Sequence, residues 1–221
     1  MYINYPHKFI FIHLPKTGGT SVINYFSNNN LGKHLSVWEN EIHESGIKKG
    51  LRKHITASQL KKIRPTIFKR FKTYAIVRNP WDLVVSWYTY VKRLPSDSPR
   101  STANCSFPYF IHKMKHVWNG YGEPNNTATG ITQFDYVSNE KGNIIVNKIL
   151  KYEHLKLMGF GNGIRKSFSW NLPRQWKPTY HMKTINASRR SPDYRSYYDK
   201  DTKAIVRKAF MKDINEFGYE Y

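Results

Sequence analysis

Residues Phe9 to Ser21, reading Phe-Ile-Phe-Ile-His-Leu-Pro-Lys-Thr-Gly-Gly-Thr-Ser, constrain the fold of this chain more than any other stretch. The apolar opening suits a buried strand, Pro15 breaks it, and Gly18 and Gly19 build a turn into a helix-like run from Thr20 to about Phe26. A strand, a glycine turn carrying a lysine, and a helix N-terminus together make an anion cradle. Backbone N–H groups and the helix dipole converge there, and Lys16 adds a full charge. The order of residues matters. A nucleotide triphosphatase loop places its lysine after the glycines, whereas Lys16 precedes Gly18 and Gly19, so that class fits poorly.

A second stretch, Tyr74-Ala-Ile-Val-Arg-Asn-Pro-Trp-Asp-Leu-Val-Val-Ser-Trp-Tyr88, repeats the strand-to-helix pattern. Asn79 suits the N-cap, Pro80 the first helical position and Asp82 the first turn. At roughly 3.6 residues per turn, Ser86 falls about two turns beyond Asn79, on the face that began at the cap. Arg78 and Ser86 can then grip one anion together. Two such sites imply a ligand carrying two separated phosphate-like groups.

On these residues the chain resembles the sulfotransferases. Pro15-Lys-Thr-Gly-Gly-Thr20 is similar to their 5′-phosphosulfate loop, and Arg78-Asn-Pro with Ser86 to their 3′-phosphate site. The likeness is closest to the carbohydrate sulfotransferases, the heparan and chondroitin enzymes and their bacterial relatives. The ending from Tyr197-Tyr-Asp-Lys to Phe217-Gly-Tyr219 resembles the family's too. Leu83 departs from it, standing where many relatives carry an arginine after the aspartate.

The resemblance implies an α/β, P-loop-like three-layer sandwich with a mainly parallel central sheet flanked by helices. It also implies sulfuryl transfer from 3′-phosphoadenosine 5′-phosphosulfate to a hydroxyl of a carbohydrate or glycan. Lys16 would stabilise the leaving oxygen, and the backbone of Thr17, Gly18, Gly19, Thr20 and Ser21 would hold the 5′-phosphate, with the Thr20 hydroxyl assisting. Arg78 and Ser86 would hold the 3′-phosphate. Arg189-Arg190 would fold over that phosphate or the adenine, the alternative being a solvent-exposed pair. His54 matches a family histidine proposed as the catalytic base, and imidazole titrates near neutrality. Glu41 and Glu44 are the carboxylate alternatives, His43 is weaker, and His13, in the strand, reads as a packed residue beside the loop. Trp170, Trp176 and Tyr180 either stack on rings of the ligand or anchor a long loop. No metal is expected, because Lys16 and helix dipoles can neutralise the charge and no clear carboxylate cluster for Mg²⁺ is visible.

Composition narrows the alternatives. At 221 residues, 39% of them hydrophobic, a single domain spanning 1–221 with a sizeable core is expected. The lone Cys105 excludes an intrachain disulfide and a cysteine-based zinc cluster. A strand within ten residues of Met1 and the lack of a long apolar run leave no room for a signal or membrane anchor, so a soluble cytoplasmic protein is expected. The net charge of +21 is concentrated, for no carboxylate occurs between Glu44 and Asp82. That field suits an acidic acceptor as well as the anionic donor. Nucleic acid is the usual partner of such charge, but no DNA- or RNA-binding signature accompanies it, and none is expected to bind. A nucleotide-dependent kinase and a basic nucleic-acid-binding protein remain the alternatives. The oligomeric state is not readable.

The other elements expected are few. Met1 to Lys8 reads as a polar lead-in. Thr56 or Ser58 caps a short helix that Pro65 ends, and Lys72 to Val77 is the second strand. Phe107 to Trp118 has helical spacing and should pack on the sheet. Ile131 to Leu150 reads as two extended segments around Asn139-Glu-Lys-Gly142, and Tyr152 to Met158 as a helix. Phe160 to Pro192 lacks periodicity, and one last helix runs from about Asp199 to Phe217.

Overall fold

The strands form a five-stranded sheet with the order β3-β1-β2-β4-β5. The strands are β1 (Tyr2–Asn4), β2 (Phe9–Ile12), β3 (Lys33–His34), β4 (Lys72–Val77) and β5 (Lys148–Lys151). β2, β4 and β5 run parallel, while β1 and β3 make an antiparallel edge beyond β2. This is the α/β architecture expected. The computed structural model describes residues 1–29, 33–34, 54–95, 105–116, 132–169, 171, 182 and 190–221. They divide into two compact units, Met1–Val77 with Gln133–Ile185 and Arg78–Thr132 with Asn186–Tyr221.

The first unit holds the whole sheet. Its register aligns Tyr2, Phe11 and Tyr74 in one row and Ile76 with Leu150 in another. These side chains share a face with Phe9 and pack with Val22, Ile23, Tyr25 and Phe26 of helix α1 (Gly19–Asn28). Phe168 completes this core, its ring centroid 4.0 Å from Tyr74, 5.0 Å from Phe26 and 5.1 Å from Phe9. The opposite sheet face, with Ile3, Ile10, Ile12 and Ala75, is buried as well. Near-continuous apolar runs are what strands covered on both faces require.

Met1 to Lys8 is therefore not a lead-in, because Tyr2, Ile3 and Asn4 are buried as β1. Thr56 caps helix α2 (Ala57–Ile63) through a reciprocal capping box with Gln59. Pro65 ends that helix and also starts α3 (Pro65–Arg70) from the first position. The extended pair expected around 139–142 is replaced by helix α6 (Gln133–Val137), a tight turn with Gly142 at φ +76°, and a single bridge between Ser138 and Ile144. Helix α7 (Tyr152–Leu157) follows β5. Helix α8 (Phe160–Ser167) occupies part of the stretch read as aperiodic. Its Gly163 lets it approach α7, since a Cβ there would meet the Leu155 side chain at 2.9 Å and its backbone at 3.2 Å.

The second unit is helical. Asn79 caps α4 (Pro80–Val91), accepting from the backbone N–H groups of Trp81 and Asp82, with Pro80 at its start. α5 (Phe107–His116), expected to lie on the sheet, packs with α4 and α9 (Lys200–Ala209) through Phe107, Phe110, Ile111, Val84, Tyr88 and Val206. Leu83, the departure from the family pattern, is buried in this cluster. The expected single last helix is interrupted at Phe210, which ends α9 and caps α10 (Met211–Phe217). Val206, Phe210 and Phe217 nevertheless stay buried. No helix among the described residues is long and apolar enough to cross a membrane.

Candidate functional site

In the first unit the loop between β2 and α1 is built by left-handed backbone. Lys16 has φ +63° and Gly18, the N-cap of α1, has φ +81°. A lysine held left-handed costs of order 1 kcal/mol or more, and such strain gathers at working loops. Thr17, fully buried, donates its hydroxyl to the Leu14 carbonyl at 3.0 Å and closes the turn. Its hydroxyl is committed to the loop. Thr20 is exposed, Ser21 is buried, and the first turn of α1 carries no acidic residue to compete for an anion.

Two packing contacts hold this loop. A Cβ on Gly18 would stand 2.9 Å from Phe160 Cζ and 3.2 Å from Tyr152 Cε2, so the rings of α7 and α8 press against it. A Cβ on Gly19 would stand 2.1 Å from His13 Cδ2 and 2.5 Å from its Nε2. The His13 ring thus lies on the first residue of α1. It is only 7% exposed and is stacked on Phe11 at 6.2 Å.

His54 packs against His13, with ring centroids 4.4 Å apart. Its Nδ1 is 2.8 Å from the His13 carbonyl oxygen. A carbonyl only accepts, so Nδ1 carries the hydrogen and, in the neutral ring, Nε2 is the basic nitrogen. His54 thus packs on His13, whose ring lies against Gly19 at the start of α1. Glu41, His43, Glu44, Trp170, Trp176, Tyr180 and Arg189 lie outside the described residues.

In the second unit Arg78, Asp82 and Ser86 follow one another at four-residue spacing, all buried. Arg78 Nε donates to Asp82 Oδ2 at 2.7 Å, and Arg190 Nη2 donates to Asp82 Oδ1. Arg190 is therefore no solvent-exposed arginine, its side chain being 12% exposed. Burial alone would raise the Asp82 pKa, but the charges and hydrogen bonds of Arg78 and Arg190 outweigh it and hold the carboxyl below its usual range. Asn79 Nδ2 donates to the Glu220 carbonyl at 2.7 Å, tying the last residues to the start of α4. Tyr221 packs edge-on to Trp81 at 5.3 Å, with Lys203 Nζ 3.6 Å from its ring centroid. Tyr198, kept a neutral phenol by burial, donates to the Trp81 carbonyl at 2.9 Å.

Sequence reasoning passed over three contributors. Asp82 was legible only as a first-turn acid, although its spacing from Arg78 was the available signal. Phe160 was hidden in a stretch that looked aperiodic. The need for glycine at 19 depends on His13, and nothing in the sequence pairs the two.

The model of the sulfotransferase family matches residues 1–220. The fold is similar to a crystal structure of mouse sulfotransferase SULT7A1 complexed with PAP, with a TM-score of 0.52 and 15% identity, covering 96% of this chain and 86% of that one. No curated protein matches the sequence. With the family model matched over residues 1–220 and the α/β fold shared, this chain belongs to the sulfotransferase family.

Proposed function

We propose that this chain transfers a sulfuryl group from 3′-phosphoadenosine 5′-phosphosulfate to a hydroxyl of a carbohydrate or glycan, without a metal. The observation that carries the reading is His54, fixed by the His13 carbonyl with Nε2 as its basic nitrogen and linked through His13 to the first turn of α1. The loop of Lys16, Thr17, Gly18, Gly19, Thr20 and Ser21 is the 5′-phosphosulfate end of the assignment. Arg78, Ser86 and Arg190 are the 3′-phosphate end.

The donor supplies a sulfuryl group already activated by its phosphosulfate bond. The acceptor hydroxyl gives its proton to His54 Nε2 as its oxygen bonds to sulfur. The bond from sulfur to the bridging oxygen breaks, and its electron pair leaves on the phosphate. Lys16 and the N–H groups of the loop stabilise that charge, so positioning and electrostatics supply most of the acceleration. An acidic acceptor suits a chain with net charge +21.

The test is incubation with labelled donor and a panel of neutral and acidic glycans, lipids and small alcohols. Label should move to a glycan with the parent and not with Lys16→Ala or His54→Ala. Transfer only to non-glycans would overturn the acceptor class, and full activity in His54→Ala would move the base to Glu41 or Glu44. Parallel arms with ATP and Mg²⁺, and with salt-graded nucleic acid, test the kinase and nucleic-acid alternatives.

A further inference from the structure

Asp82 occupies both of its carboxylate oxygens with arginine. Arg78 reaches Oδ2 through Nε and Arg190 reaches Oδ1 through Nη2. The three side chains are 8%, 13% and 12% exposed, so the bracket is shielded from water and screened little by salt. Arg190 Nη1 is buried and has no hydrogen-bond partner among the described residues. A buried donor left unmade is costly, and a native chain tolerates it where an acceptor arrives with a ligand. Asp82 and Ser86 lie one turn apart on α4, and Arg78 stands just ahead of its Asn79 cap, four residues before Asp82.

Two effects of opposite sign meet at Asp82. As an anion it should repel a bound phosphate and weaken affinity. As a bracket it fixes two long, rotamer-rich side chains before any ligand arrives, which removes an ordering cost from binding. A planar guanidinium anchored at one nitrogen is held in a set plane, and for Arg190 this leaves Nη1 as the donor to be filled, which a lysine cannot reproduce. With two cations on one anion, the cluster keeps one net positive charge for an incoming anion.

We infer that Asp82 is a positioning residue for donor recognition: it aims Arg78 and Arg190 at the 3′-phosphate, and this gain in orientation outweighs its own repulsion. The inference rests on assigning this cluster to the 3′-phosphate. Asp82 touches neither the reacting atoms nor the donor; it acts through the two arginines.

The experiment measures affinity of the full chain for 3′-phosphoadenosine 5′-phosphate and for adenosine 5′-phosphate by titration calorimetry. The ratio of the two isolates the 3′-phosphate, and a general loosening of the fold does not move it. Asp82→Asn keeps the size, raises the net charge by one, and turns an amide donor toward one arginine. It should lower the ratio at least tenfold while adenosine 5′-phosphate binds as before. An unchanged or higher ratio would overturn the inference, because charge alone would then govern the site. Arg190→Lys keeps the charge without the fork, serves should Asp82→Asn fail to fold, and should lower the ratio several-fold; no change there also refutes orientation. Arg78→Ala separates the two levels. If it keeps the parent's ratio, the 3′-phosphate assignment itself falls and takes the inference with it. If it loses the ratio while Asp82→Asn and Arg190→Lys keep it, only the role of Asp82 falls.

Discussion

Gly19→Ala puts the packing of the anion loop to its sharpest test. The added Cβ would lie 2.1 Å from His13 Cδ2, 2.5 Å from Nε2 and 3.0 Å from Cγ. Carbon atoms rest at about 3.5–4.0 Å, so His13 must retreat by more than about 1 Å. It has little room, being 7% exposed and packed against both Phe11 and the His54 ring, the latter at 4.4 Å. Overpacking of this kind costs about 1–3 kcal/mol, and a chain of this length loses about 2–4 °C in melting temperature per kcal/mol. A fall of about 2–12 °C is expected. Gly142→Ala is the control: φ is +76° but nothing lies within 4 Å of the new Cβ, so only the left-handed backbone cost of about 1–2 kcal/mol applies. Combining either change with His13→Ala discriminates between the two costs. His13→Ala should relieve Gly19→Ala, giving a favourable coupling of about 0.5–3 kcal/mol, and should be additive with Gly142→Ala. Thermal melts of the six proteins complete the cycles. The reasoning is refuted if Gly19→Ala melts with the parent, or if His13→Ala adds to it without coupling.

His54→Ala should abolish transfer yet keep the rise in melting temperature that 3′-phosphoadenosine 5′-phosphate produces, about 2.7 kcal/mol at one hundred times Kd; loss of that rise would place His54 in donor binding instead. Asp82, with its pKa depressed in the folded state, contributes stability that is present above its unfolded value near 3.9 and lost as pH falls through the folded one. The melting-temperature gap between the parent and Asp82→Asn should therefore be full at neutral pH and shrink below about pH 4, and a gap constant with pH would contradict it. Phe168→Ala removes a fully buried ring that touches Tyr74, Phe26 and Phe9, and should cost about 3–5 kcal/mol in urea unfolding; a loss under about 1 kcal/mol would mean the core closes over the gap.

Much of the local structure was legible because its causes are local. The caps at Asn79 and Thr56, the proline starts at Pro80 and Pro65, and the strands over 9–12 and 72–77 arise from neighbours within four residues. Where reading failed, distant contacts overrode propensity. Phe160, Ile164 and Phe168 repeat at helical spacing, but Gly161 and Gly163 obscure it, and Gly163 is needed only because α7 lies against it. The polar look of Met1 to Lys8 hid a strand whose burial depends on pairing with Phe9–Ile12 on one side and Lys33–His34 on the other.

The sequence by itself determined the turn chemistry: a lysine and two glycines between a strand and a helix, and an arginine, a capping asparagine and a serine at the start of another. Those features are short-range, and backbone sterics and capping suffice to read them. Only the tertiary structure decided that the His54 ring is aimed by the carbonyl of His13, forty-one residues earlier, and that Asp82 grips Arg190, 108 residues later. Such pairings depend on how packed elements bring remote side chains together, and no local pattern encodes that.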